Sequence, residues 1–319
     1  MNLKKTLAVI RKHKTFLIST HVNPDPDALC SELALYFYLK SIGKKAHIVN
    51  NEKVPERFLF LPGAKQIKVC SERGQASAQV ALIVDCGELD RIGRVRQAVQ
   101  KSTIIVNIDH HLTNDRFGHV NLVAPKASST CEILFDLLRE AKFTLNATVA
   151  LHLYSGIMTD TGSFRYDNTS ARTHEIASRL RRFKFSAAKL YQRFYEMIPL
   201  SDMEHFVEVV NRFDTLLRGK VLCIELHKDI LSAFSEGFDL RDTIFKFLRS
   251  IKGVEVVVIL SQVKQNQTRV NFRSSGKVNV ATLAHFFKGG GHHNASGCTI
   301  DRNIKTARRL VLGKVKEMI

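Results

Sequence analysis

The chain has 319 residues, 45% of them hydrophobic and 24% charged. That is globular composition with room for two domains of ordinary size, and it excludes disorder; no period of 20–50 residues is visible, which excludes a solenoid. The net charge of +18 and the pI near 9.8 favour polyanionic partners such as nucleotides or nucleic acid, although a generally basic proteome gives the same balance.

In chain order, MNLKKTLAVIRKHK carries lysines, but its apolar run is too short and too interrupted for a signal peptide. TFLIST (15–20) reads as a strand. A helix is expected from Ala28 to Ile42, closed by Gly43 at the C′ position. HIVN (47–50), VALIVD (80–85) and TIIVNID (103–109) are near-continuous apolar runs, as in strands buried on both faces of a parallel sheet. Ser129 and Glu132 have capping-box spacing ahead of the helical ILFDLLREAK. A further helix is expected over 146–159. Strand–helix alternation predicts an α/β fold with a parallel sheet.

From Ser170 to about Phe213 helical patterns dominate, with Pro199 as a break and a second capping-box spacing at Ser201 and Glu204. Strands return at 221–226, 254–263 and 268–274, with helices near 239–250, 280–287 and 303–318. The expected layout is an N-terminal parallel-sheet domain (1–190), a helical linker (191–213) and a smaller α+β domain (214–319). Cys30, Cys70, Cys86, Cys131, Cys223 and Cys298 are scattered, with no CxxC pair, and read as buried thiols in a reducing cytosol. No stretch has membrane-spanning length. These features predict a cytoplasmic protein without a membrane partner.

Three clusters fall at the ends of expected strands. His21, Asp25 and Asp27 follow the first; Asp85 ends the third; Asp109, His110 and His111 end the fourth. Ligands of open parallel sheets bind outside the carboxyl ends of the strands, so these groups converge on one crevice if the strands are neighbours. Asp160 follows an apolar helix and precedes a Gly/Ser turn, and could join them. Each piece alone is weak, because a lone aspartate after a strand is more often a helix cap or turn former. Together, five carboxylates and three imidazoles would repel and shift their pKa values unless cations intervened. Carboxylate and imidazole without thiolate suit Mn²⁺ better than structural Zn²⁺ or Ca²⁺. The count suits two ions about 3.5–4 Å apart, the spacing used for phosphoester hydrolysis. Pro24 and Pro26 would stiffen the loop between the ligands.

HVNPDPDAL, VDCGELDRIG, NIDHH and MTDTGSF, in that order, resemble the motifs of the DHH phosphoesterase superfamily. FKGGGHHNASG, after VNFRSSGKVNVATLA, is similar to the glycine-rich motif of the DHH-associated domain. The motifs span nearly the whole chain. Length and layout most resemble the bifunctional oligoribonuclease and pAp phosphatase subfamily, the nano-RNases. RecJ-type exonucleases are usually longer, membrane-tethered cyclic-dinucleotide phosphodiesterases carry extra N-terminal regions, and family II-type pyrophosphatases usually lack this GGGH turn.

The resemblance implies two Mn²⁺ ions, with Mg²⁺ or Co²⁺ as substitutes. His21 and Asp25 would hold one ion and Asp27, His110 and Asp160 the other, with Asp85 bridging. His111 would contact the scissile phosphate or assist the leaving oxygen, and Asp109 would orient a histidine through its free ring nitrogen. Pro26 and Lys288 stand where the family often has glycine. In the second domain, Gly289, Gly290 and Gly291 would let backbone amides approach an anion, with His292, His293 and Arg273 as donors to phosphate. A turn that merely packs the domain is the plainer alternative. A hinge between metal centre and clamp would create a cleft and limit substrate length.

RLRRFK (179–184) could touch nucleic acid or be a solvated helix face. Tyr166 could stack a base and Arg165 meet a phosphate, while core packing is the default for Phe164. His13, His47, His119, His152 and His174 have no ligand spacing. The expected activity is hydrolysis of short oligoribonucleotides to mononucleotides and of pAp to AMP. The alternatives are a phosphodiesterase specific for linear or cyclic dinucleotides and a non-catalytic nucleotide-binding protein. A homodimer is compatible with the sequence, which does not give the oligomeric state.

Overall fold

A computed structural model describes residues 2–71, 78–99, 104–235 and 237–319. The chain forms two compact units, Met1–Glu196 and Met197–Ile319.

The first unit opens with α1 (Leu3–Lys12), β1 (Thr15–Ser19), α2 (Pro26–Ser41), β2 (Lys45–Asn50), β3 (Ile67–Val69) and β4 (Val80–Val84). It continues with α3 (Val95–Ala98), β5 (Ile104–Asp109), β6 (Val120–Val123), α4 (Thr130–Glu140), α5 (Ala147–Asp160), α6 (Ala171–Leu180) and α7 (Ala187–Tyr195). Among the described residues its sheet has six strands in the order β3-β2-β1-β4-β5-β6, all parallel. The apolar runs are continuous because both faces are covered. Along β1, Phe16 and Ile18 enter the core under α1, α2, α4 and α5, while Leu17 enters the smaller core under α3. β4 repeats the alternation, with Val80, Leu82 and Val84 on one face and Ala81 and Ile83 on the other. Consecutive strand side chains point to opposite faces, so both layers draw on each strand.

The strand order reverses between β1 and β4. That is the topological switch point, where the connections leave in opposite directions and open a crevice at the carboxyl ends. Helix α2 leaves β1 on this edge and is buried on every residue from Asp27 to Leu35. It packs heavily on α5, and a buried leucine such as Leu33 stabilises this contact by about 1.5–3 kcal/mol.

Several boundaries differ from expectation for local reasons. α2 begins at Pro26, two residues early, because Asp25 is its N-cap: Asp25 Oδ1 accepts the Ala28 amide at 3.0 Å. Pro26 therefore occupies N1, where a missing N–H costs nothing and a fixed φ is preorganised. Ser129 caps α4 through the Glu132 amide, but Glu132 does not complete the box. Its Oε2 instead accepts from Ser128 Oγ at 2.6 Å and Thr173 Oγ1 at 2.9 Å. Thr103, placed in a strand by its apolar neighbours, lies outside the described residues.

The second unit holds α8 (Leu200–Val210), β7 (Asp214–Leu216), β8 (Val221–Leu226), α9 (Lys228–Ser232), α10 (Leu240–Arg249) and β9 (Val256–Lys264). β10 (Gln267–Ser274), α11 (Val280–Phe286), β11 (Gly290–His292), β12 (Ala295–Ile300) and α12 (Ile304–Met318) follow. The described sheet runs β11-β12-β10-β9-β8-β7, with β8 and β9 parallel and the other pairs antiparallel. One face packs on α11 and α12, the other on α8 and α10. Phe206, Val209 and Val210 of α8 belong to the second face. The capping box expected at Ser201 and Glu204 does not form. Pro199 is the N-cap, without a side-chain bond, and Ser201 already lies inside the helix.

The histidines without ligand spacing have local roles. His13 Nδ1 lies 2.9 Å from the Val9 carbonyl, and His119 Nδ1 accepts the Ile105 amide at 2.9 Å. His152 is fully buried, stacks on Phe37 and places Nε2 2.9 Å from the Pro62 carbonyl, while Nδ1 has no partner. Burial lowers its pKa to about 4 against the help of Pro62. A base whose folded pKa lies below its unfolded value stabilises the fold fully above about pH 6.5 and loses that contribution as pH falls toward 4. The shift is worth on the order of 3 kcal/mol. Urea unfolding between pH 7.5 and 4.5 should therefore show a smaller acid-side loss for His152→Gln than for the wild type. Parallel pH profiles would refute the assignment.

Candidate active site

The carboxyl ends of β1, β4 and β5 carry the predicted groups, and α2 and α5 bring the remainder. His21 follows β1; Asp25 and Asp27 are the cap and second residue of α2; Asp85 follows β4; Asp109 ends β5, with His110 and His111 next; Asp160 ends α5. Three groups of ligand atoms each lie within 4.8 Å of one another: His21, Asp25 and Asp85; Asp27, His110 and Asp160; Asp85, His110 and His111. Asp85 and His110 each belong to two groups.

Each carboxylate is positioned by a separate device. Asp27 is buried, and its oxygens accept the amides of Thr130 at 2.7 Å and Cys131 at 3.1 Å. These are free amides at the N-terminus of α4, where the helix dipole favours an anion. Asp85 sits in the left-handed region, at φ 52°, and its Oδ1 accepts from Thr130 Oγ1 at 2.9 Å. Asp and Asn tolerate that conformation better than other non-glycine residues. His21 is held by Nδ1, 2.8 Å from the Val22 carbonyl, which leaves Nε2 for the site.

The distances between these groups suit a shared cation better than direct bonds. His21 Nε2 is 3.7 Å from Asp85 Oδ2, and His110 Nε2 is 3.6 Å from Asp85 Oδ1 and 3.5 Å from Asp160 Oδ2. Hydrogen bonds are shorter. Ligands sharing one ion through bonds of about 2 Å are separated by comparable distances. The donor set of imidazole nitrogen and carboxylate oxygen, with no thiolate, fits a divalent ion of the Mn²⁺ or Mg²⁺ kind.

The electrostatics point the same way. Burial, reinforced by the Asp85 charge, pushes Asp27 well above the usual carboxylate range. Burial, with the charges of Asp25 and Asp85, does the same to Asp160. Asp85 is itself buried, yet the approach of His21 and the charges of three imidazoles hold it low. Crowded carboxylates resist ionising together, and a divalent cation is the charge that removes the conflict.

His111 and Asp109 form a different kind of contact. His111 Nδ1 lies 2.7 Å from Asp109 Oδ1, a true hydrogen bond. Burial lowers the His111 pKa, but the Asp109 bond and the Asp85 charge outweigh it and raise the value to about 9. Sequence reasoning missed what stands behind Asp109. Asn114 Nδ2 donates to Asp109 Oδ2 at 2.6 Å and lies 2.8 Å from Asn107 Oδ1. Asn107 in turn donates to the Cys86 carbonyl at 3.0 Å. The two asparagines form a polar brace that locks Asp109. The one available signal was that Asn107 opens the NIDHH segment and Asn114 lies just beyond it, which spacing alone does not make diagnostic. Glu32 was also missed: burial raises its pKa to about 8, and it accepts from Asn50 Nδ2 at 2.9 Å.

In the second unit, Arg273 on β10 lies opposite Val257 of β9 and Ala295 of β12. Its guanidinium carbon is 4.8 Å from the centre of the Phe245 ring. The glycine segment, expected as a turn, is a hairpin in which Gly290, Gly291 and His292 pair with Gly297, Ser296 and Ala295. Gly289 lies so close to Gly297 and Cys298 that a Cβ would clash, and Gly291 has φ 139°. Both glycines thus have a packing reason within the hairpin. Lys288 is left-handed at φ 56°. His293 is exposed, with Nδ1 2.7 Å from Asn294 Oδ1; the His292 side chain lies outside the described set.

Near Asp160, Phe164 packs on Tyr154 and His174, and Arg165 Nε donates to the Gly162 carbonyl at 2.8 Å. On α5, Gly156 faces Cys131 Sγ and Asp27 Oδ1, and a Cβ there would overlap both. Gly156→Ala should destabilise the first unit by about 1–3 kcal/mol in denaturant unfolding, because no free volume exists for the methyl group. An unchanged unfolding midpoint would show that this contact is loose.

Comparison with known proteins agrees with this geometry. Residues 15–157 match the DHH family, N-terminal domain, and residues 237–317 match the DHHA1 domain. A Thermus thermophilus protein named bifunctional oligoribonuclease and PAP phosphatase NrnA is 32% identical, over 94% of this chain and 89% of its own length. A Bacillus subtilis protein of the same name is 28% identical, over 92% of each chain. The crystal structure of an exopolyphosphatase-related protein from Bacteroides fragilis superposes with a TM-score of 0.90 at 26% identity, covering 99% of this chain and 95% of that one. The chain belongs to the DHH family of phosphoesterases, with a DHHA1 domain in its second unit.

Proposed function

We propose that this protein hydrolyses short oligoribonucleotides to mononucleotides and pAp to AMP, using a pair of Mn²⁺ ions. The observation that carries the reading is the set of three ligand groups at the carboxyl ends of the strands, linked to one another through Asp85 and His110, each in two of the three. The names borne by the Thermus and Bacillus relatives support the substrate class. His21 and Asp25 would hold one ion, Asp27, His110 and Asp160 the other, and Asp85 both. When bound, the ions supply positive charge that activates a water and stabilises the charge developing on phosphate.

The protein's own groups do the rest. Asp109 holds the Nδ1 proton of His111 and so directs the second ring nitrogen outward, to donate to a phosphate or leaving oxygen. Asn114 and Asn107 keep Asp109 from turning away. In the second unit, Arg273, Gly289, Gly290, Gly291, His292 and His293 would bind a phosphate of the substrate. Six free thiols support a reducing, cytoplasmic setting, and among the described residues no helix is long and apolar enough to cross a membrane.

Purified protein with Mn²⁺ should release mononucleotides from labelled di- to pentanucleotides and AMP from pAp. Turnover of none of them would sink the reading, and a strong preference for pApA would narrow it to a dinucleotide phosphodiesterase. Asp85→Asn should lower kcat at least a thousandfold while circular dichroism stays native. A protein that only binds nucleotides would have no activity to lose.

A further inference from the structure

On β10, Val270 and Phe272 pack into the core under α11 and α12, and Arg269, Asn271 and Arg273 take the opposite face. On that opposite face, β8 and β9 supply an apolar layer under α8 and α10, through Leu222, Ile224, Val257 and Ile259. The layer stops at β9. Across the sheet, Arg269 stands opposite Ser261 of β9 and Thr299 of β12, and Asn271 stands opposite Ile259 and Gly297. Arg241, near the start of α10, reaches the same place: its Nε donates to Ser261 Oγ at 3.3 Å. Arg241 thus approaches β10 from the β9 side, while Arg269 of β10 leans toward Thr299 Oγ1 at 3.3 Å on the β12 side.

Neither has an acidic partner within 4.0 Å among the described residues. Arg308 in the same unit, by contrast, pairs with both Asp214 and Glu225. Asn271 Oδ1 is buried without a partner, so the group it can offer an anion is its Nδ2 donor. A Cβ on Gly297 would come within 3.1 Å of Asn271 Nδ2 and 3.2 Å of Arg269 Nη2, so glycine there keeps the floor open beneath both groups. Arg241 and Arg269 thus approach one sheet face from either side of β10, and among the described residues no carboxylate neutralises either charge there. Arg269 and Arg273 are four residues apart on one strand, about 13 Å, which is too far for one phosphate to bind both.

We propose that Arg241, Arg269 and Asn271 form a phosphate subsite separate from Arg273 and the glycine hairpin, and that it takes an additional phosphodiester of an oligoribonucleotide longer than two residues. The inference rests on the oligoribonuclease reading for its ligand. Arginine matches phosphate bidentately, and along β10 the subsite and Arg273 present successive cationic positions on one face. It makes the second unit sensitive to substrate length.

The test is the double variant Arg241→Gln/Arg269→Gln in the full chain, with Arg241→Lys/Arg269→Lys as the charge-preserving control. With Mn²⁺, kcat/KM for pAp and for a 5′-phosphorylated dinucleotide should stay within twofold of wild type. KM for a pentanucleotide should rise about tenfold at unchanged kcat, and the lysine variant should recover most of the loss. In EDTA, anisotropy titrations of a labelled pentanucleotide should show a salt slope shallower by about 0.7, the loss of one phosphate contact on a single strand. Equal loss on pAp and pentanucleotide, no loss on either, or an unchanged salt slope each overturns the subsite. Failure of the enzyme reading is separate: wild-type protein would then turn over none of the substrates, and the salt slope alone would decide the subsite.

Discussion

The first unit is organised around one buried carboxylate. Asp27 leaves α2 in its first turn and accepts two amides from the start of α4. Gly156 lets α5 press against the same oxygen. Three helices therefore converge on one charge at the sheet edge. Burying that charge is unfavourable unless its oxygens are satisfied, and free amides at a helix N-terminus satisfy part of the demand. The rest is left to whatever occupies the crevice. Asp85 follows the same logic: Thr130, the first residue of α4, donates its hydroxyl to Oδ1, which His110 also faces, and His21 faces Oδ2. Thr130 thus serves both carboxylates, through its amide and its hydroxyl, and couples the packing of α4 to the positions of Asp27 and Asp85.

Much of this was legible in the sequence because it depends on strand ends. A run such as VALIVD, with Gly87 two residues on, marks both a buried strand and the point where its chain leaves the sheet. The groups at those points are brought together by topology alone, with no need to know a helix angle. Asp160 was legible for a related reason, as a charge closing an apolar helix.

The remainder was not legible because the local signal was ambiguous. Capping spacing at Ser129 and Glu132 is real, but tertiary contact redirects Glu132 to Ser128 and Thr173. At Ser201 and Glu204 the same spacing lies one step inside a helix that Pro199 already starts. The glycines of 289–291 suggested a turn, whereas their closeness to β12 places them in a hairpin. Asn107 and Asn114 are short polar residues of a kind common in strands' ends and loops, and only the fold reveals that Asn114 holds Asp109 while Asn107 holds Asn114. Arg241 and Arg269 lie 28 residues apart in sequence and reach the same sheet face because Arg241 bonds Ser261, the β9 residue in register with Arg269.

The bond between Asp27 and the start of α4 also has a consequence in time. Its partners are separated by more than 100 residues of chain. A growing polypeptide therefore completes α2 and β1 long before the amides that receive Asp27 exist. Until residue 131 has been made, that carboxylate has to stay in water, and α2, which is apolar almost all round, has to stay away from its final neighbours. Non-local contacts of this span are slow to close and leave apolar surface exposed meanwhile. The geometry that concentrates charge for chemistry thus also delays the moment at which the chain can safely collapse.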